Sequence, residues 1–350
     1  MTVGPNLSVC IPAYNRVAVL PALLDSILVQ DFDDYEILIC EDRSPERGQI
    51  RAVVERYAAA FPGRIRYEEN ETNLGYDANI RNLVARARGE YCVFMGNDDI
   101  MCAGALTKIA SAIARFPDVG VVLRSYAAFD GTQDNVVQTF RYFEHERFFP
   151  PGPATIATIY RRSVVIPGMT LHRETALRWA DDRFDGVLLY QLYLVANILV
   201  ERSAVFLPDI LVLYRNGGVP DFGNSEAERG KFVPTERTPE SSLHFMRGMI
   251  DIARHVERVR GVAISGPIIR DIGNYAYPIL ALQATKPFHV FMRYAWTLAR
   301  LGLGRAPLFW LYWLAILLLG TSRIERLIVF VKGKLGHTPA LGGIYRGESS

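Results

Sequence analysis

The segment GEYCVFMGNDD, residues 89–99, decides the fold that this sequence predicts, because a short apolar run ends there in two adjacent carboxylates. The run has the length and β-character of a strand buried on both faces, as in a parallel sheet. Asn97, Asp98 and Asp99 then lie just beyond its carboxyl end, where open α/β sheets bind ligands, and we expect Asp99 to be exposed there. A divalent cation with oxygen ligands is one reason to pair two carboxylates. Capping of the following helix is the other.

An earlier strand places a third carboxylate at the same edge. Residues 7–12 and 35–40 are short apolar runs, each followed by a helical pattern, which predicts two βα units. The second run is followed by the acidic residues Glu41 and Asp42. We therefore expect Asp42 to face the same crevice as Asp98 and Asp99.

A helix predicted after Gly75 connects the third strand to the acidic one. Its apolar residues recur at helical spacing, which turns Asp77 and Arg81 away from the core. Asn73 and Gly75 lie near its start, on the ligand side, where a helix N-terminus favours phosphate. A solvated helix face is the alternative role of Arg81.

Composition predicts a globular protein, since 350 residues with 50% hydrophobic content can bury a sizeable core. The net charge of +2 hides a basic tail, and we expect no nucleic-acid partner. The four cysteines show no CxxC or metal-ligand spacing. We therefore expect them to be small buried hydrophobic residues in a reducing compartment. They are Cys10, Cys40, Cys92 and Cys102. The N-terminal residues lack a signal-peptide pattern, so we expect a cytoplasmic catalytic part.

The second half of the chain has less regular patterns. Residues 130–153 form a predicted long loop that shapes a binding site. His172 is either a metal ligand or simply hydrogen-bonded. The predicted domains are residues 1–215, a flexible loop at 216–242 that closes over a ligand, and a helical region at 243–350.

Together, LSVCIPAYNR, EILICED, ETNLGYDANIRN, ARGEYCVFMGNDD and the later HRE and FDG resemble the family 2 glycosyltransferases of the GT-A fold. The resemblance implies a Rossmann-like, mostly parallel α/β sheet flanked by helices, and an enzyme that uses a nucleotide-diphosphate sugar. It makes Asp42 the reader of the base, Asp98 a ribose or metal contact, and Asp99 the ligand of Mg²⁺ or Mn²⁺. The residues that it places along the nucleotide are Pro12, Tyr14, Arg16, Asn73, Gly75 and Arg81.

The sequence departs from the family at the catalytic base. Many members carry a Glu-Asp pair at the start of a later helix, where this chain has Tyr190 and Gln191. Asp185 is the candidate that takes a proton from the acceptor hydroxyl, with Asp181 or Asp182 as its substitutes. Capping of the same helix is the alternative role of these aspartates.

Two other functions remain open at this stage. A nucleotidyltransferase has a similar sheet but needs a glycine-rich, basic loop after the first strand, whereas PAYNR has neither glycine nor lysine. A nucleotide-binding scaffold without activity is the other, because Tyr190 and Gln191 replace the carboxylates.

The tail predicts membrane association. Residues 306–322 carry no charge, and their 17 positions are at the lower limit for crossing a bilayer. Upstream, Phe291, Trp296 and Leu298 are predicted to face lipid beside arginines. We expect a peripheral or monotopic protein on the cytoplasmic face of the cell membrane. The resemblance implies that its acceptor is a polyprenyl-linked glycan precursor of the O-antigen type. A buried core helix and a single spanning helix are the alternatives.

Overall fold

A computed structural model describes residues 6–217, 221–234 and 236–327, and one ten-stranded sheet runs through it. In chain order the strands are β1 (Leu7–Ala13), β2 (Tyr35–Glu41), β3 (Ile65–Glu69), β4 (Tyr91–Phe94), β5 (Ile100–Met101), β6 (Val119–Phe129), β7 (Val136–Phe140), β8 (Arg147–Phe149), β9 (Thr170–His172) and β10 (Ser203–Arg215).

Helices cover both faces of this sheet. In chain order they are α1 (Leu20–Leu28), α2 (Arg47–Ala60), α3 (Tyr76–Arg86), α4 (Ala105–Arg115), α5 (Pro153–Ile159), α6 (Arg173–Leu177), α7 (Tyr190–Ile198), α8 (Pro239–Arg260), α9 (Ser265–Asn274), α10 (Tyr277–Ala281), α11 (Phe288–Arg300) and α12 (Pro307–Leu319). Short 3₁₀ turns lie at Tyr160–Ser163 and Leu303–Arg305.

The sheet is parallel in one half and mixed in the other. Its main order is β3-β2-β1-β4-β9-β6-β10-β5, and the first four strands are parallel, as predicted. The next strand, β9, runs antiparallel to both of its neighbours, whereas β6 and β10 are parallel. The sheet is therefore α/β and flanked by helices, but it is less uniformly parallel than expected.

Alternating residues of the inner strands enter two separate cores. Val9 of β1 faces the core that contains α1 and α4, and Cys10 faces the core that contains α3 and α7. This period of two is the side-chain alternation of any strand, and burial on both faces explains the continuous apolar runs. Cys10, Cys40 and Cys92 are free, buried thiols, as the sequence predicts.

The segment predicted as a long loop contains two strands. Residues 130–153 include β7, which pairs with β6, and β8, which pairs with β10. β7 is mostly exposed, so its side chains lack the apolar alternation that marks a half-buried strand. Likewise, α8 begins at Pro239 within the predicted flexible loop, because Thr238 and Ser241 form a capping box there.

The C-terminal helices share the core of the sheet. Ile250 of α8, Leu298 of α11 and Phe309 of α12 belong to the same cluster as Leu38 of β2. The prediction that Phe291 and Leu298 face lipid is wrong, since both are buried, whereas Trp296 is 58% exposed. The helical stripe of α11 packs on the protein itself.

No helix in the described ranges is alone long and apolar enough to cross a membrane. Pro307–Leu319 and Thr321–Leu327 reach that length and composition only together, with a bend of 117° between them. Residues 328–350 of the predicted helical region lie outside the described part of the chain.

Gly89→Ala tests how closely the chain before β4 approaches β1. An added Cβ would lie 2.6 Å from the Ser8 nitrogen and 2.7 Å from the Leu7 carbonyl carbon. Backbone atoms cannot move aside at low energetic cost, so we expect the free energy of unfolding to fall by about 1–3 kcal/mol in urea denaturation. Gly48→Ala in α2 is the control, since no atom lies within 4 Å of its Cβ. Equal stability of Gly89→Ala and wild type would contradict this packing.

Candidate active site

Three aspartates lie at the carboxyl ends of neighbouring parallel strands, as predicted. Asp42 follows β2, and Asp98 and Asp99 follow β4, with β1 between the two strands. All three side chains are buried, so the prediction that Asp99 is exposed is wrong: only 1% of it is accessible. The chain enters β5 immediately after Asp99 and pairs with β10, which encloses the two carboxylates.

Gly96 leaves room for both carboxylates of the NDD sequence. An added Cβ there would lie 2.4 Å from Asp99 Oδ2 and 3.4 Å from Asp98 Oδ1. The Arg215 N–H donates to Asp99 Oδ1 at 3.0 Å, and the Arg16 guanidinium forms an ion pair with Asp98. The carboxylate pair therefore already holds one cationic group of the chain.

A buried arginine lies close to this pair. Burial and the charge of Asp98 raise the pKa of Asp99 to about 8, against the opposing charges of Arg16 and Arg124. Arg124 of β6 is fully buried and donates from Nη2 to the Val165 carbonyl at 3.1 Å. Its Nε and Nη1 have no hydrogen-bond partner among the described residues. We did not predict Arg124, although an arginine inside the apolar run VGVVLRSYAAF is a visible signal.

The capping alternative for the two aspartates is wrong. Gly104 is the N-cap of α4, and β5 separates it from Asp99. The carboxylates at the end of β4 thus have no role in starting the helix that follows.

Asp42 holds the segment that leads into α3. It accepts hydrogen bonds from the Leu74 and Gly75 N–H groups at 2.9 and 2.8 Å, and from the Asn70 amide at 2.8 Å. Burial raises the pKa of Asp42, and these donors oppose the rise. The same bonds fix Gly75 and Asn73 beside the crevice.

The start of α3 holds a carboxylate of the chain itself, where we predicted a phosphate. Glu228 Oε1 accepts from the Tyr76 N–H at 2.8 Å, and Phe222 packs edge-on against the Tyr76 ring with centroids 5.9 Å apart. Residues 221–234 therefore cover this end of the helix, and their mobility stays a prediction. Nothing local in the sequence indicates Glu228, which lies 152 positions from its partner.

Pro12, Tyr14 and Arg16 lie along the end of β1 and the turn that follows it. Asn97 Nδ2 donates to the Tyr14 carbonyl and to the next carbonyl, at 3.4 and 3.0 Å. Arg16 also lies 3.6 Å from an Asp221 carboxylate oxygen. The structure thus gathers these predicted nucleotide contacts with Asp98 at one edge of the sheet.

Arg81 contacts the proposed base. Its Nη1 and Nη2 donate to the two carboxylate oxygens of Asp185, at 2.5 and 2.9 Å, and its guanidinium lies 5.8 Å from the Tyr190 ring centroid. Both carboxylate oxygens of Asp185 are thus bound by this one side chain. The expected contact of Arg81 with the nucleotide stays a prediction.

Asp77 is buried, so the prediction that it faces away from the core is wrong. Its carboxylate accepts from the N–H groups of Val187, Leu188 and Tyr190, at 2.7–2.8 Å. Leu188 has a φ of 64°, so these bonds hold a left-handed residue in place. Asp77 therefore caps α7, which excludes the capping role proposed for Asp181, Asp182 and Asp185.

Two other polar residues of interest are held by hydrogen bonds within the fold. His172 Nδ1 accepts from the Thr175 N–H at 3.3 Å and caps α6, and burial lowers the pKa of His172 to about 4. Gln191 is one of the residues at the place where the resemblance implies a catalytic base. It is buried, and it donates to the Val164 carbonyl at 2.7 Å.

The acidic pair fits a metal ion whose coordination is completed by substrate. No group of three or more His, Cys, Asp or Glu side chains in the described residues could hold a metal ion. Mg²⁺ in nucleotide enzymes, however, is often bound by one or two carboxylates together with substrate phosphates. Asp98 and Asp99, brought together by the absence of a Cβ at Gly96, supply such a pair.

Comparison with known proteins identifies the family. Residues 8–177 match the model of glycosyl transferase family 2. Residues 8–177 of the chain therefore belong to this family. A Campylobacter jejuni relative, the GalNAc(5)-diNAcBac-PP-undecaprenol beta-1,3-glucosyltransferase, is 34% identical over 106 residues, which are 30% of this chain and 33% of that protein. Alignments with four curated relatives cover only 33% to 46% of those proteins' lengths.

Solved structures of glycosyltransferases share the fold. S. aureus TarS 1-349 in complex with UDP-GlcNAc has a TM-score of 0.58 and 17% identity, covering 85% of this chain and 80% of that chain. The mannosyltransferase PcManGT from Pyrobaculum calidifontis, in complex with GDP-Man and Mn²⁺, has a TM-score of 0.50 and 16% identity, covering 97% and 82%. The family 2 domain therefore has the GT-A fold, which confirms the resemblance.

Asp77→Asn tests the buried carboxylate through pH. Burial raises the pKa of Asp77 to about 7, so between about pH 4 and pH 7 the folded chain keeps a proton that the unfolded chain releases. Wild-type stability should therefore fall as pH rises through this window. We therefore compare the free energy of unfolding in urea at about pH 5 and pH 7. Between these two pH values it should fall by up to about 2–3 kcal/mol more in wild type than in Asp77→Asn.

Asp182→Asn is the control for this measurement, because Asp182 is exposed in the same acidic turn. It should follow the wild-type pH dependence. Parallel wild-type and Asp77→Asn curves would show that Asp77 is ionised throughout.

Proposed function

We propose that this chain transfers a sugar from a nucleotide-diphosphate donor to a hydroxyl of a polyprenyl-linked precursor of a cell-surface glycan. The observation that carries the proposal is the buried Asp98 and Asp99 pair at the carboxyl end of β4, within a family 2 domain. Ligands of open α/β sheets bind at this edge. The family match also removes the reason for the nucleotidyltransferase alternative.

The roles at the crevice follow from charge and position. Asp99, with Asp98 beside it, is the proposed holder of Mg²⁺ or Mn²⁺, which neutralises charge on the leaving diphosphate when bound. Arg16 is a second positive group at the same place, already paired with Asp98. Asp42 is the proposed contact of the base, and Tyr14 lines the nucleotide.

The relatives support the choice of donor, metal and acceptor. TarS was determined with UDP-GlcNAc, and PcManGT with GDP-Man and Mn²⁺. The Campylobacter jejuni relative is named for a PP-undecaprenol substrate. A nucleotide sugar, a divalent ion and a lipid-linked acceptor are therefore the first substrates to test.

Asp185 is the proposed general base. It accepts the proton of the acceptor hydroxyl as that oxygen bonds to the sugar and the bond to the diphosphate breaks. Arg81 holds both Asp185 oxygens, so this pair must loosen when the acceptor binds.

A nucleotide-binding scaffold without activity is the second candidate. Two observations favour it. Gln191 is buried at the place where the resemblance implies a base, and Arg81 donates hydrogen bonds to both carboxylate oxygens of Asp185. A scaffold binds the donor without turning it over, which separates the two functions.

We further propose that the chain acts at the cytoplasmic face of the cell membrane. Only Phe309 and Ile316 of α12 are buried, while several of its leucines are exposed. An apolar surface of this kind suits an enzyme whose acceptor is held in a bilayer.

Asp99→Asn tests the metal assignment. Thermal-shift screening of UDP-, GDP-, CDP- and dTDP-sugars with Mn²⁺ identifies the donor first, since ligand at a hundred times its Kd stabilises by about 2.7 kcal/mol. Asparagine keeps an acceptor for the Arg215 N–H but loses the charge, so we expect the Mn²⁺-dependent shift to vanish. Donor turnover should fall by about 10²–10³-fold. Asp118→Asn, an exposed aspartate, is the control, and wild-type turnover in Asp99→Asn would refute the assignment.

Asp185→Asn tests the base. With the donor known and a synthetic polyprenyl-diphosphate acceptor, we expect kcat to fall by about 10²–10⁴-fold and the donor KM to stay constant, because the base contacts only the acceptor. Asp182→Asn should retain activity. If Asp182→Asn loses activity and Asp185→Asn does not, the base is Asp182. Donor binding without turnover in wild type would favour the scaffold.

A further inference from the structure

A basic and aromatic cavity lies where α11, the turn Leu303–Arg305 and α12 meet, outside the acidic crevice. Its volume is about 290 Å³. The side chains that line it include three arginines from separate elements and two tryptophans, and no described acidic residue is among them. They are Arg254, Arg300, Arg305, Trp296 and Trp310.

A second cavity lies beside the first. Its volume is about 370 Å³, and it shares Ile269 and Arg305 with the first cavity and adds Arg270. Arg270, Arg300 and Arg305 form no ion pair within the described part of the chain. The fourth arginine, Arg254, lies 3.8 Å from an Asp251 carboxylate oxygen. Three of the four arginines therefore have no ion-pair partner among the described residues, which leaves the lining of the two cavities with excess positive charge.

The cavity opens beside an exposed apolar helix. Leu311, Leu314 and Leu318 of α12 are 59%, 47% and 71% exposed, and their spacing places them on one face. Trp310 bridges this face and the cavity, because its ring lies 6.4 Å from that of Trp296 and its Nε1–H donates to the Gly304 carbonyl at 2.9 Å. An anionic group beside an apolar body thus has complementary partners at both ends.

We propose that this cavity binds the phosphate of an anionic membrane phospholipid, with the leucine face of α12 in the acyl region. Arginines attract anionic lipid at a membrane surface, and tryptophans favour the level of the headgroups. The leucine face carries no charged side chain, which suits hydrocarbon better than a protein partner with a polar rim. The inference rests on the membrane location proposed above and gives that location a specific ligand.

Co-sedimentation of the full chain with vesicles tests the site. One set of vesicles contains phosphatidylcholine alone, and the other contains phosphatidylcholine with phosphatidylglycerol. We expect binding to the second set to be stronger, and R300Q/R305Q to weaken it by about tenfold or more, because each basic residue adds to the attraction. R56Q/R88Q removes two charges from α2 and from the segment before β4, and it should bind like wild type.

Two further measurements test the apolar face of α12 and the source of the phosphate. Leu318→Gln should weaken binding to both sets of vesicles, since it shortens the apolar face. Soluble glycerol phosphate should not displace the chain from vesicles at millimolar concentration. Binding that is indifferent to phosphatidylglycerol, or equal in R300Q/R305Q and wild type, would overturn the headgroup site, and displacement by glycerol phosphate would point to a soluble ligand.

Donor turnover in the same variants separates this inference from the proposed function. R300Q/R305Q should retain the wild-type rate of donor hydrolysis in vesicle-free buffer, because the arginines lie outside the crevice. Loss of vesicle binding with intact turnover supports the lipid site, whereas absent turnover in wild type contradicts glycosyl transfer and leaves the vesicle result valid.

Discussion

The burial of two adjacent carboxyl groups at the end of β4 is the constraint on which the site depends. Removing a carboxylate from water is costly unless hydrogen bonds and opposite charges compensate. Gly96 lets both carboxylates turn toward one point, the Arg215 N–H and the Arg16 guanidinium partner them, and Arg124 adds a buried positive charge. Because these groups come from β6, β10 and the turn after β1, the pair draws distant parts of the sheet together.

One helix connects this crevice to the proposed base. At its start α3 is held by Asp42 and Glu228, both of which place negative charge where the helix dipole favours it. Asp77 and Arg81 lie one turn apart on this helix. Asp77 accepts from the Val187 N–H, just after the acidic turn, and Arg81 donates to the carboxylate of Asp185 within it. A movement of α3 on donor binding would therefore be transmitted to Asp185 through contacts already made.

The sequence predicts those features whose cause is local. The apolar runs of β1, β2 and β4 and the aspartates that follow them are visible because strand burial and strand direction fix both. Asp77 was predicted to face away from the core, and Glu228 was not predicted at all. Their hydrogen-bond partners lie 110 and 152 positions away in the sequence. β7 was missed for a similar reason: it is exposed, and only pairing with β6 makes it a strand.

The C-terminal helices show which apolar pattern indicates a core and which does not. In α11 the apolar residues Phe291, Tyr294, Ala295 and Leu298 follow i, i+3, i+4 and i+7, and all four are buried. In α12 nearly every residue is apolar, yet only Phe309 and Ile316, seven positions apart, are buried. Tyr312, Trp313 and Ala315 pack partly buried against the same core and complete the contact of α12 with the protein. The exposed leucines lie outside that contact, so a hydrocarbon environment is the one in which their exposure costs least.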